Sequence, residues 1–198
     1  MHNLSATFVL GYHGCDRDVG RALLDGTAQF TASENEWDWL GSGIYFWEAN
    51  PLRGLEFARE QESRGRLGEP FVVGAVLDLG FCLDLTSSTG VVAVKTAYDS
   101  FVKVTRKAGK PMPRNRGGPD MLLRELDCSV INYLHQIRAS VQPPLQPFDS
   151  VKGVFLSEGG PIYEGSGFFN KTHIQICIRN PSCIKGVFRV PEEHLSRL

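Results

Sequence analysis

Trp37-Asp38-Trp39-Leu40-Gly41-Ser42-Gly43-Ile44-Tyr45-Phe46-Trp47, with Asn50-Pro51 close behind it, organises the reading of the whole chain. Residues 31–42 are polar and aromatic without a clean period, so they read as a long loop. Gly43 to Trp47 reads as a short strand. Asn50 is a good helix cap and Pro51 suits a first helical position, so a helix is expected from there to about Arg64, stopped by Gly65. Toward the N-terminus, the apolar run Ala6–Tyr12 predicts a first strand that ends at His13-Gly14. Asp16 then offers a cap for a short helix carrying Val19, Ala22 and Leu23, closed at Gly26. In the other direction, Phe71–Leu79 reads as a buried strand and residues 88–107 as a helix. Pro111, Pro113 and Gly117-Gly118 break the chain. Leu123, Leu126, Val130, Leu134 and Ile137 then recur at helical spacing and predict a helix over about 120–138. After Pro143, Pro144 and Pro147, three strands are expected at 151–156, 173–178 and 184–190, with a glycine-rich loop at 159–167. Strands at both ends with helices between them predict an α+β fold rather than a doubly wound parallel sheet.

Composition narrows the class. The chain has 198 residues, 42% of them hydrophobic, enough for a real core. Twenty-one basic residues against 22 acidic leave a net charge of −1, which argues against whole-chain capture of nucleic acid or membrane. No apolar run approaches a membrane span, and the opening Met-His-Asn-Leu lacks the basic-then-apolar pattern of a signal peptide. Cys15, Cys82, Cys128, Cys177 and Cys183 form no Cys-x-x-Cys and do not pair with histidines at metal spacing. Reduced thiols, no metal and a cytoplasmic setting are therefore expected. There is no Gly-x-Gly-x-x-Gly after a strand and no Gly-Lys-Ser/Thr phosphate loop.

Three places can carry chemistry. In Tyr12-His13-Gly14-Cys15, a histidine beside glycine can hydrogen-bond a ligand that approaches the backbone closely; the alternative is a turn with a structural His. The aromatics and glycines of 37–47 can wall a slot for a planar ring, or simply pack in the core. In His173-Ile174-Gln175-Ile176-Cys177-Ile178, alternation puts His173 and Gln175 on one face, suited to a ligand or to solvent.

Taken in order, Tyr-His-Gly-Cys at 12–15, Gly-Ser-Gly-Ile-Tyr-Phe at 41–46 leading into a helix, and Gln-Ile-Cys-Ile at 175–178 resemble the ADP-ribosyltransferase superfamily. The likeness is to its poly(ADP-ribose) polymerase-like branch with a His-Tyr-Glu type triad. The resemblance implies a split β-sheet core with flanking helices. Residues 1–198 would form one catalytic domain, with a helical insertion at about 88–150 that the resemblance does not cover. It implies NAD as substrate and no metal. His13, Tyr45 and Gln175 would be the catalytic set, and His13, Gly14, Gly43, Tyr45 and Phe57 would line the NAD site. In that scheme His13 holds a ribose hydroxyl, the Gly14 backbone meets the nicotinamide amide, and Tyr45 and Phe57 stack on the ring.

The chain departs from the family pattern at informative positions. Gln175 stands where many relatives place a catalytic Glu, and an amide cannot ionise. Cys15 replaces a hydroxyl, and Phe57 sits one residue late. Glu48, Glu56 and Glu164 are candidates to supply the missing carboxylate, with Glu164 best placed by its position before the last site strand. Polymer synthesis is not expected. The resemblance points to mono-ADP-ribosyl transfer to a macromolecular acceptor, protein or nucleic acid, by a toxin-like enzyme that an antitoxin protein can restrain. An NAD glycohydrolase and an inactive NAD- or ADP-ribose-binding pseudoenzyme are the alternatives. Lys103, Arg106, Lys107, Lys110, Arg114 and Arg116 form a local basic run with no acid among them, read either as an acceptor-binding surface or as a solvated face.

Overall fold

The computed structural model describes residues 8–118, 121–156 and 160–196. Its elements are β1 (Phe8–Asp16), α1 (Arg17–Leu24), β2 (Ile44–Glu48), α2 (Pro51–Ser63), β3 (Pro70–Asp78), β4 (Cys82–Asp84) and α3 (Ser88–Lys107). They continue with β5 (Asn115–Arg116), β6 (Leu123–Arg124), α4 (Glu125–Ser140), β7 (Ser150–Phe155), β8 (His173–Ile178) and β9 (Ile184–Arg189). Local chemistry explains the starts. The Asp16 carboxylate accepts from Asp18 N at 3.1 Å and caps α1. Asn50 Oδ1 accepts from Arg53 N at 3.0 Å, with Pro51 at the first helical position of α2. Ser87 caps α3 through Gly90 N.

Two expected boundaries move, each for a tertiary reason. The first strand does not end at His13-Gly14. It continues to Asp16, because β3 runs antiparallel along its whole length, from Phe8↔Asp78 to Asp16↔Pro70. The fourth helix begins at Glu125 rather than near 120. Met121 has a left-handed backbone, and Leu123-Arg124 is drawn into a small hairpin with Asn115-Arg116. The Asn115 side chain then accepts from Leu126 N and Asp127 N, acting as a cap from outside the helix. Part of the expected 159–167 loop and of the first strand, residues 159 and 6–7, lies outside the described residues.

The fold is α+β. Seven strands form one mixed sheet in the order β4-β7-β8-β2-β1-β3-β9, antiparallel throughout except for the parallel pair β4–β7. One face carries α2, which packs through Leu55 against Tyr12, Val72 and Val190. The same face carries α3 and α4 further along, where Leu40, Leu83, Ala97, Val130, Ile131, Leu134, Phe148, Val151 and Cys177 form a core. Residues 88–150 therefore share a core with the sheet. The opposite face is filled by Ile44, Phe46, Ala75, Leu77, Ile176, Ile178 and Cys183, with Phe30 laid over them. Among the described residues no helix is long and apolar enough to cross a membrane.

Candidate functional site

The central feature is a fork. β1 and β2 pair at only two positions, Gly11↔Glu48 and Tyr12↔Trp47. Beyond Tyr12, residues His13–Asp16 have ladder partners on β3 alone, while Ile44–Trp47 pair onward with β8. The sheet thus opens between β1 and β2 at His13-Gly14. His13 bridges the opening: its Nδ1 lies 2.8 Å from the Tyr45 carbonyl oxygen. A carbonyl only accepts, so Nδ1 donates, and the neutral ring carries its lone pair on Nε2. Burial holds the His13 pKa below its ordinary value, with the Tyr45 hydrogen bond working the other way.

The three residues expected to form the catalytic set therefore fall on three adjacent strands, His13 on β1, Tyr45 on β2 and Gln175 on β8. They do not share a face. Tyr45 pairs with Cys177 and Trp47 with Gln175, so these four side chains point toward the helical face. His13 points to the other face, where its ring meets Phe30 at 5.3 Å and Phe46 at 5.7 Å.

Tyr45 is held at its hydroxyl, which donates to Gly41 O at 2.7 Å and accepts from Leu40 N at 3.0 Å. Burial raises its pKa well above the ordinary value, so the hydroxyl stays a donor. Gln175 Oε1 accepts from Trp39 Nε1 at 2.6 Å. The indole can lie that close because Gly153, the ladder partner of Gln175, has no side chain: a Cβ there would meet Trp39 at 2.7 Å. Phe57, on α2, reaches the same face and contacts the Trp47 ring at 5.0 Å.

The glycines have packing reasons of their own. A Cβ on Gly14 would overlap the Gly54 carbonyl oxygen of α2, and one on Gly43 would press on Cys177 Sγ and Ile178 O. Cys15 is buried below α1, close to Gly20, so it does not face the fork. Its thiol is pushed up to about 11 by burial and by Asp16, and that of Cys177 up to about 12 by burial. Neither offers a thiolate at neutral pH.

The carboxylates named as substitutes for a catalytic Glu are placed as follows. Glu48 is paired with Lys152, at 3.0 and 2.8 Å, on the His13 face. Glu56 lies 3.8 Å from Arg53. Glu164 is exposed in the loop before β8.

Around Gln175, Trp39, Trp47 and His173 belong to stretches that the sequence already singled out, whereas Phe155, Arg124 and Arg53 escaped the sequence reading. Trp39, Phe155 and Arg124 form a cluster, with the guanidinium 4.4 Å from the Phe155 ring and 5.5 Å from Trp39. His173 is only 8% exposed, stacks on Phe155 at 5.3 Å, and donates from Nδ1 to Lys171 O at 2.6 Å. Its Nε2, the Trp47 Nε1 and the Arg53 Nε are all buried and have no hydrogen-bond partner among the described residues. Unmatched donors and acceptors of this kind call for a polar ligand or ordered water. The sequence signal available was Gly153, an isolated glycine in a strand, which marks a close approach.

Comparison with known proteins adds little chemistry. The chain is 24% identical over 196 residues to the uncharacterized protein MJ0359 of Methanocaldococcus jannaschii, covering 88% of this chain and 83% of that protein. No family model matches the chain, and no solved structure matches it.

Proposed function

We propose that this protein is an NAD-dependent mono-ADP-ribosyltransferase, and that its substrate sits at the fork between β1 and β2. The observation that carries this reading is the juxtaposition there. His13, Tyr45 and Gln175 are separated by up to 162 positions in sequence, yet they fall on three consecutive strands of the sheet at the point where it opens. The unladdered edge of β1 at Gly14 offers backbone groups to a carboxamide. Trp47 and Phe57 offer aromatic walls, and the unpartnered Trp47 Nε1 and His173 Nε2 offer a donor and an acceptor.

In the reaction, the bond between nicotinamide and ribose breaks and its electron pair leaves on neutral nicotinamide, so no general acid is required. The ribose becomes oxocarbenium-like, as in glycoside cleavage. The acceptor nucleophile adds to the anomeric carbon and releases its proton to solvent. The protein's part is to bind, orient and exclude water. Gln175 is uncharged, so it orients a ribose hydroxyl rather than supplying electrostatic stabilisation of the cation. His13 acts here through Tyr45: from the opposite face its Nδ1 donates to the Tyr45 carbonyl and so fixes the strand that carries Tyr45 and Trp47. The exposed cations Lys103, Arg106, Lys107, Lys110 and Arg114 at the end of α3 favour a polyanionic acceptor; Arg116 is instead paired with Glu125.

One observation favours a second reading, an NAD-binding protein without turnover: Gln175 Oε1 is already engaged by Trp39. NAD labelled on the adenylate side, incubated with the protein alone and then with protein, RNA or DNA, separates these. Label fixed to one macromolecule class supports transfer. Free ADP-ribose with nicotinamide indicates hydrolysis. NAD binding without nicotinamide release supports the second reading, and no binding overturns the site.

A further inference from the structure

A second site lies away from the fork. The C-terminal turns of α4, the segment after it and the residue following β8 enclose a cavity of about 270 Å³, lined by His135, Arg138, Ala139, Pro144, Leu145, Pro147 and Arg179. Its walls carry two guanidiniums and one imidazole but no carboxylate. Arg138 donates from Nε and Nη2 to the Gln146 carbonyl oxygen, and its guanidinium lies 4.3 Å from the Phe148 ring and 5.4 Å from Phe81. Arg179 donates from Nη1 to Ser42 O at 2.9 Å. Among the described residues, neither guanidinium forms an ion pair with a carboxylate. Each is pinned by a carbonyl and keeps donors in reserve. His135 Nε2 is buried without a hydrogen-bond partner.

We propose that this cavity is a binding site for a phosphate monoester, the phosphate held by Arg138 and Arg179 and its small organic part resting on Leu145, Pro144 and Ala139. Two half-buried guanidiniums without a counter-ion are costly unless an anion completes them. Planar forks already fixed by a carbonyl, and in Arg138 by aromatic faces as well, match phosphate oxygens with little further ordering. The volume exceeds what a bare phosphate fills, and the proline and leucine wall accounts for the remainder with an apolar surface. The unpartnered His135 ring nitrogen adds a hydrogen-bonding group for a phosphate or hydroxyl oxygen. Burial, Arg179 and Arg138 together push the His135 pKa down to about 3, so the imidazole is neutral there and the two guanidiniums supply the charge. The site does not depend on the NAD reading, because none of its residues belongs to the fork.

The test is isothermal titration of the full chain, without NAD, using ribose 5-phosphate, with ribose as the uncharged control. A 5′-phosphorylated oligonucleotide and its 5′-hydroxyl counterpart distinguish a free ester from one carried on a nucleic acid. The expected result is one saturable site per chain for a phosphorylated ligand and silence for its unphosphorylated partner. Binding should weaken about tenfold in Arg138→Gln, the scale of one charge-assisted hydrogen bond. It should be lost in Leu145→Trp, which fills the cavity from an exposed position. Thermal melts of both variants within a few degrees of the parent verify folding, and backbone amide shifts in the parent should centre on Ala139 and Leu145. No binding of either phosphorylated ligand overturns the proposal. Binding that is unchanged in both variants also overturns it, because the ligand is then held elsewhere.

Discussion

Tyr45→Phe separates what the ring does from what the hydroxyl does. The substitution keeps the aromatic face and removes a single oxygen. That oxygen has two backbone partners, Gly41 O at 2.7 Å and Leu40 N at 3.0 Å. Leu40 is fully buried, so its N–H loses this partner with no water to replace it. Gly41 O retains the weak Cys177 thiol donor at 3.6 Å. One stranded buried donor costs about 1–3 kcal/mol, and a half-compensated acceptor adds little, so about 2 kcal/mol is expected. For a chain of this size that corresponds to roughly 4–8 °C in melting temperature. Urea unfolding followed by tryptophan fluorescence should show the midpoint falling with an unchanged slope. Nicotinamide release at 25 °C should persist in Tyr45→Phe and fall in Tyr45→Ala, which also removes the ring. A melting shift below about 1 °C would refute the assignment of the hydroxyl as the pin of the 38–43 loop. Loss of turnover in a Tyr45→Phe variant of parental stability would show that the hydroxyl acts on the substrate instead.

Other perturbations follow from the same geometry. Gly14→Ala forces a methyl into the Gly54 carbonyl, so α2 must lift from β1; a loss of at least about 2 kcal/mol by urea titration is expected whether or not NAD is present. Lys152→Met strands the Glu48 carboxylate, each side chain being 18% exposed, and should cost about 2–3 kcal/mol, whereas the double variant Lys152→Met with Glu48→Leu should recover most of it. His135 has a folded pKa of about 3 against about 6.5 unfolded, so the unfolded chain binds the extra proton between those values. Stability is therefore full above about pH 6.5 and falls as pH drops, by roughly 2 kcal/mol at pH 5 from this group alone. His13 and His173 act in the same direction, whereas Asp38, whose carboxyl burial pushes up, works in the opposite sense at lower pH. Melting curves from pH 7.5 to 5 check the sign, and a His135→Gln variant with the parent's slope would show that His135 is not responsible. Gln175→Ala should lower turnover more than NAD affinity, measured as kcat against Kd, because the ribose orientation that the amide supplies is needed chiefly in the transition state.

What could be read from the chain alone was what local chemistry determines. The Asp16 and Asn50 caps, the helix over 88–107 and the strand over 173–178 depend on propensity, capping and short-range periodicity, and they stand where those rules put them. The α+β class follows from the order of those elements. The boundaries that moved did so because of partners far away in sequence. β3 extends β1 past His13-Gly14, and a hairpin pairing Asn115-Arg116 with Leu123-Arg124 delays α4. The site divides in the same way. Alternation alone puts His173 and Gln175 on one face, and this is what the sheet shows. Alternation within single strands cannot relate β1 to β2, because that requires the register between them. Only the pairing Tyr12↔Trp47 puts His13 on the face opposite Tyr45 and Gln175, and only its early end opens the fork. The Lys152–Glu48 pair, the indole over Gly153 and the cavity that Arg138 and Arg179 both line likewise join residues 41 to 114 positions apart. No local rule carries that information, because a strand's neighbours are chosen by burial summed over the whole sheet rather than by the residues beside it.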